Sequence, residues 1–175
     1  MVAIRRDEIV PGLCCFLDMA VLARGRRTTY YSKHATLDPH IAHSHRPFLV
    51  LDVDRKTKQA ICVRLTDRET HATIQLDQKL KSGGGKGWHD RDTYYSPDSY
   101  WTINLDAITA ASSIELTSPT KRMSYGLTDK RALTAIHSML DLNELPAHRD
   151  WADFQGQQPA HRPRSVQTSR TWGAA

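Results

Sequence analysis

Arg46 and Thr66 stand near the two ends of the most regularly patterned stretch in the chain, HSHRPFLVLDVDRKTKQAICVRLTDRE, from His43 to Glu69. A guanidinium offers a planar fork of donors that fits paired acidic oxygens, and a hydroxyl adds one donor and an acceptor. Histidines crowd the same region: His34, His40, His43 and His45 precede the stretch or open it, and His71 follows it. Neutral imidazole suits proton abstraction near pH 7, so His43, His45 and His71 are candidate general bases, with solvated loop histidines as the plain alternative. Their spacings, even with Cys14 or Cys15 added, match no zinc-site pattern, so no metal is expected. Two basic and aromatic sets add a second kind of chemistry. Arg24, Arg26 and Arg27 lie just before Tyr30 and Tyr31, and Lys86 and Trp88 lie in KLKSGGGKGWHD. Cations that track a phosphate backbone and rings that stack on bases are the usual equipment for single-stranded nucleic acid, and a solvated loop is the competing reading of each. The glycine run lacks the lysine followed by Ser or Thr of a P-loop, and no serine has a nucleophile-elbow context.

These groups must be positioned by a single domain. The chain has 175 residues, enough for one domain of ordinary size and a tail. Lys and Arg exceed Asp and Glu by 24 to 19, a formal charge of +5 that favours an anionic partner such as nucleic acid or an acidic protein segment. Cys14, Cys15 and Cys62 are odd in number and sit among apolar neighbours, as reduced core thiols do. With no apolar leader ahead of a cleavage site and no run long enough to span a bilayer, a cytoplasmic protein is expected.

Within the long stretch, PFLVLDV and AICVRLT read as the strands of a hairpin. A turn of three central residues, 55–57, sets Asp54 against Lys58 and Arg46 against Thr66. That register gathers Leu49, Leu51 and Val53 with Ile61, Val63 and Leu65 on a core face. Arg46, Phe48, Val50 and Asp52 then share the other face with Thr66, Arg64, Cys62 and Ala60. GLCCFLDMAVL reads as a buried first strand, residues 24–45 as a long exposed loop, THATIQL as a third strand, residues 77–98 as a second long loop and SYWTINL as a further strand. SIEL and TKRMSYG are short strand candidates. From Thr128 as N-cap, Ala132, Leu133, Ile136, Met139 and Leu140 fall at helical spacing. The domain is expected to span 1–145, with a basic tail over 146–175 that is disordered or partner-dependent.

Strands followed by one amphipathic helix make an α+β plan on a small SH3-like β-barrel, and the sequence resembles the PemK/MazF toxins of type II toxin-antitoxin systems. HRPFLVLDV matches that family's Arg-Pro and aliphatic strand; AICVRLT matches its next strand, ending in threonine. SYWTINLDAITAASSIEL and LTDKRALTAIHSMLDL match its late strand, connection and C-terminal helix, and GLCCFLDM its first strand. The resemblance implies the CcdB/MazF-like plasmid maintenance toxin fold and a metal-independent, cofactor-free endoribonuclease that cuts single-stranded RNA. The ribose 2′-hydroxyl would attack the adjacent phosphate, leaving a 2′,3′-cyclic phosphate and a 5′-hydroxyl. It further implies that Arg46 and Thr66 act on the scissile phosphate, that the protein is a homodimer, and that an antitoxin inhibits it through an acidic segment. Arg24, Arg26, Arg27, Arg64, Lys86 and Trp88 are the expected RNA contacts. The chain departs from the family in its long basic first loop and in Asp67, which follows Thr66 where many relatives carry a hydroxyl residue. That carboxylate calls for a partner such as Arg64 or Arg68.

Overall fold

The computed structural model describes residues 3–24, 28–32, 45–112, 122–127, 129–140, 142 and 149–150. Along them run β1 (Leu13–Asp18), α1 (Met19–Arg24), β2 (Thr28–Ser32), β3 (His45–Asp54), β4 (Gln59–Thr66), β5 (Ile74–Gln75), β6 (Lys81–Gly83), α2 (Lys86–His89), β7 (Tyr94–Tyr95), β8 (Ser99–Asn104), α3 (Leu105–Ala111), β9 (Met123–Tyr125), α4 (Lys130–Met139) and β10 (Arg149–Asp150). The architecture is α+β around a mostly antiparallel sheet. His43, Arg26, Arg27, the Thr128 cap, the SIEL strand and the tail apart from Arg149–Asp150 lie outside the described residues.

The sheet order is β10-β2-β8-β4-β3-β1-β9-β6, with β7 joining the far end of β4 and β5 pairing β7. Among the described residues the end strands β6 and β10 do not pair, so the sheet is open where a closed barrel was expected. The physical reason lies in the central strands. Phe48, Leu49, Val50 and Leu51 are consecutive and all buried, as are Cys62 and Val63 beside them, so these strands are apolar on both faces rather than one. Such strands need a cover on each side.

One cover is built from the N-terminal segment, α1 and α3, which enclose Phe48, Val50, Cys62, Trp101 and Ile103 with Ile4, Ile9, Met19, Leu22 and Ile108. Phe48 meets Trp101 edge to face at 5.6 Å, an arrangement that adds roughly 1 kcal/mol beyond area burial. The other cover is α4 with the 76–95 segment, closing over Leu49, Leu51, Val63 and Leu65. Asp129, one residue after the expected Thr128, caps α4 by accepting the Arg131 N–H at 3.0 Å. Leu133, Ile136 and Leu140 are buried as the periodicity requires, but Met139 is 53% exposed.

Three local expectations are revised. The apolar run after Pro11 is not all strand: Asp18 accepts the N–H groups of Ala20 and Val21 and turns the chain into α1. THATIQL yields only Ile74–Gln75, because Thr70 and Thr73 bond one another's hydroxyls and backbone and form a turn. The two long loops contain β2, and β6, α2 and β7, respectively. No helix among the described residues is long and apolar enough to cross a membrane.

Gly12 locks β1 to its neighbours. Its N–H donates to Val50 C=O at 2.7 Å and its C=O accepts from Tyr125 N–H at 2.9 Å. Its φ is +89°, and an added Cβ would stand 2.6 Å from the Tyr125 carbonyl, so only glycine fits.

The N-terminal segment is fastened electrostatically. Arg122 donates to the Glu8 carboxylate at 2.6 Å and the Arg5 N–H adds a second bond at 2.8 Å. The Arg122 bond, then that N–H, hold the Glu8 pKa down to about 2 from its ordinary 4.5. A depressed carboxylate contributes stability that is present above the unfolded value and lost as pH falls through the folded one. Wild type is therefore expected to lose thermal stability between pH 4.5 and about 2 more steeply than Glu8→Gln, as followed by melting curves. Parallel curves for the two proteins would show that this pair does not anchor the segment.

Candidate functional site

The hairpin places Arg46 and Thr66 by a compensation of two irregularities. Its turn has four central residues rather than three, so that Asp54 faces Gln59, and Lys58 takes a φ of 57°. Asp54 organises the turn by accepting from Lys56 N–H, Thr57 N–H and the Thr57 hydroxyl, bonds that lower its pKa. A bulge between Val50 and Asp52 absorbs the additional residue. Beyond it the pairs are Val50 with Cys62, Leu49 with Val63 and Phe48 with Arg64, the register expected from sequence. The bulge also moves Val53 from the expected face to the other, where it packs with the first cluster.

Carried two positions further, this register brings Arg46 opposite Thr66, although no strand pairing joins His45–Pro47 to Leu65–Thr66. Here the strands part company. Residues 45–47 of β3 pair only with β1, with Arg46 against Leu17, and Leu65 and Thr66 of β4 pair with Tyr95 and Tyr94 of β7. Arg46, Arg64 and Thr66 share the parity of Phe48 and Cys62 and are all half-buried. That face was expected to lie outside the core. It is instead the floor of the first hydrophobic cluster, and only its open end carries polar side chains.

Arg46 Nε is buried there with no hydrogen-bond partner among the described residues. A guanidinium donor desolvated without an acceptor is costly, and a bound anion would relieve it. Thr66 Oγ accepts the Arg68 N–H at 3.1 Å, which leaves its own O–H free to donate. Asp67 is exposed and forms no ion pair with Arg64 or Arg68 among the described residues.

The general-base candidates do not converge on this place. His45 is opposite Asp18 in the ladder, with Nε2 3.7 Å from the carboxylate. Strand alternation turns both away from the Arg46 face, toward the side of Leu49 and Cys14. His71 is exposed in the Thr70–Thr73 turn. The described residues contain no cluster of metal-ligating side chains. All three cysteines are buried, which pushes the Cys15 thiol up to about 12 and raises Cys14 and Cys62 as well, so none is a nucleophile near neutral pH.

The expected RNA contacts divide. Arg64 lies at the open end beside Arg46, and Lys86 is exposed on α2, 3.9 Å from Asp90. Arg24 ends α1. Trp88 cannot serve as a stacking platform: it is buried in the second cluster, because Gly83 and Gly84 at positive φ fold the chain back and α2 turns the indole inward. Tyr31 is likewise buried, against Tyr100 at 4.8 Å.

Sequence reasoning missed Lys81, a lysine with 6% exposure. Its ammonium donates to the Trp88 and Arg91 carbonyls and to the Thr93 hydroxyl, and lies 4.4 Å from the centre of the Trp88 ring. Only the burial of Tyr125, its partner on β9, and of Trp88 could have signalled it, and that is not local information. A separate groove of about 480 Å³ runs between α4 and the β3 bulge, lined by Val10, Leu51, Leu127 and Leu133 together with Asp52, Lys130 and His137. No family model, curated protein or solved structure matches this chain.

Proposed function

We propose that the protein is a metal-independent endoribonuclease of the PemK/MazF type, with Arg46 and Thr66 holding the scissile phosphate of single-stranded RNA. The observation that carries this reading is the unpaired end of the β3–β4 hairpin, where a half-buried guanidinium with an unsatisfied Nε stands in register with a threonine hydroxyl. In the reaction, the 2′-oxygen forms a bond to phosphorus, the bond from phosphorus to the 5′-oxygen breaks, and a proton passes to the leaving oxygen. Charge builds on the non-bridging oxygens of the phosphorane, where the fork of Arg46 and the Thr66 donor would meet it. Arg64 supplies a second cation on the same face.

On this reading the fold is a CcdB/MazF-like barrel opened out by its two-sided central strands, over residues 1–145. The protein would act in the cytoplasm as a homodimer. Its antitoxin would carry an acidic and apolar segment, for which the apolar groove lined by Lys130 and His137, with Asp52 beside them, is the candidate seat.

A second reading has its own observation. His45 is turned away from Arg46, and Asp67 beside Thr66 has no ion pair among the described residues, both of which suit a module that binds nucleic acid or protein without cutting. Incubating the purified protein with mixed-sequence RNA in EDTA separates the two. Fragments ending in 2′,3′-cyclic phosphate are expected. Salt-sensitive binding without fragments would favour the module, and neither binding nor cutting would remove RNA as the ligand.

A further inference from the structure

We propose that Pro47 is a positioning residue, one that stops the β3–β4 ladder so that Arg46 and Thr66 face each other across an unzipped end. The proposal rests on the reading of those two side chains as the phosphate-holding pair. In an antiparallel strand the N–H and C=O of one residue point toward the same neighbour and those of the next residue toward the other. Val50 C=O points to the β1 side, where it accepts from Gly12 N–H at 2.7 Å. By alternation Arg46 and Phe48 also turn their main-chain groups to β1, while Leu49 and Pro47 turn theirs to β4.

After Leu49 and Val63, the next mutual rung between β3 and β4 is Pro47 with Leu65. Proline has no N–H to donate to it. Leu65 C=O therefore receives no donor from β3, and the ladder ends at Phe48 with Arg64. Pairing with β1 is undisturbed, because the proline nitrogen faces away from it, and that ladder continues through Phe16–Pro47 and Leu17–Arg46 to Asp18–His45. A proline at this one position thus opens one side of the strand and spares the other. At Arg46 or Phe48 it would have cut the β1 ladder instead.

The test is to restore the missing donor in the full chain with Pro47→Val and, as the gentler change, Pro47→Ala. The expected result is one more rung. The amide at position 47 becomes protected from hydrogen exchange, an Hα–Hα contact between Arg46 and Thr66 absent from wild type appears by NMR, the melting temperature holds or rises, and RNA cleavage falls at least about tenfold. An amide at position 47 that exchanges freely, with no new contact between Arg46 and Thr66, overturns the proposal. So does a loss of cleavage accompanied by a lower melting temperature and no contact, since that describes a proline that merely stiffens the strand. A wild type that cuts no RNA would sink the proposed activity, and the exchange and NMR results would still decide the role of Pro47.

Discussion

Arg46→Ala is expected to lower the rate of RNA cleavage by about a hundred- to a thousandfold, the range typical for removal of one donor that meets transition-state charge. The melting temperature should stay within a few degrees of wild type. Both halves follow from the same geometry. Among the described residues the buried Nε has no partner that its removal would orphan. Charge on the non-bridging oxygens grows from the bound phosphate to the phosphorane, so the loss should fall on kcat more than on KM.

Arg46→Lys should restore only part of the rate, because an ammonium keeps the charge and gives up the fork. Thr66→Ala should cost less, about ten- to a hundredfold, and should raise KM as well, since Thr66 also fixes the strand exit by accepting the Arg68 N–H. A cleavage rate that survives Arg46→Ala would move the reaction elsewhere on the molecule. A rate that falls in step with stability would make Arg46 a structural residue.

The hairpin was legible because two local signals agree on it: period-two alternation fixes which side chains share a face, and a polar run between strands fixes where the chain reverses. The turn length was misread by one residue and the bulge at Leu51 was not foreseen. The two cancel at the Arg46 end, so parity there is right although the turn near Asp54 is one residue longer than expected. What could not be read was which face is buried. Cys62, Phe48 and Val50 are apolar whether they look into solvent-facing grooves or into a core, and the answer depends on Ile4, Ile9 and α3, which lie far away in sequence. The exposure of Trp88 failed for the same reason. A tryptophan in a glycine-rich polar segment looks like a loop residue until β6 and β9 pair and draw that segment onto the sheet. Proline and aspartate were more informative than their neighbours, since what they do is set by their own covalent structure: Pro47 lacks a donor, and Asp18 and Asp129 cap helices.

Lys81→Met should destabilise the fold by about 3 kcal/mol and lower the melting temperature by roughly 10 °C, measured by urea and thermal unfolding at pH 7. Methionine keeps the length and the apolar stem, so the change isolates the ammonium. That group is 6% exposed as a residue and makes bonds of 3.1 Å to Trp88 C=O, 2.6 Å to Arg91 C=O and 2.8 Å to the Thr93 hydroxyl. Removing it strands the Trp88 carbonyl, and it leaves the Arg91 carbonyl with the longer bonds from the Gln78 amide at 3.1 Å and the Thr93 hydroxyl at 3.3 Å. Each buried group left unmatched costs about 1–3 kcal/mol, which sets the size of the effect, and loss of the contact with the indole ring adds to it.

The pH dependence gives the prediction a sign that a general loss of packing lacks. Burial lowers the Lys81 pKa from its ordinary 10.5, with Asp92 nearby opposing the shift. Between the lowered value and 10.5 the unfolded chain binds more protons than the folded one, so the lysine's contribution to stability rises with pH across that window. The difference between wild type and Lys81→Met should therefore widen as the solution becomes alkaline. Equal melting at pH 7 would mean that Lys81 does not hold the 88–93 segment against β6, and a difference that shrinks toward pH 10 would mean that burial does not lower its pKa.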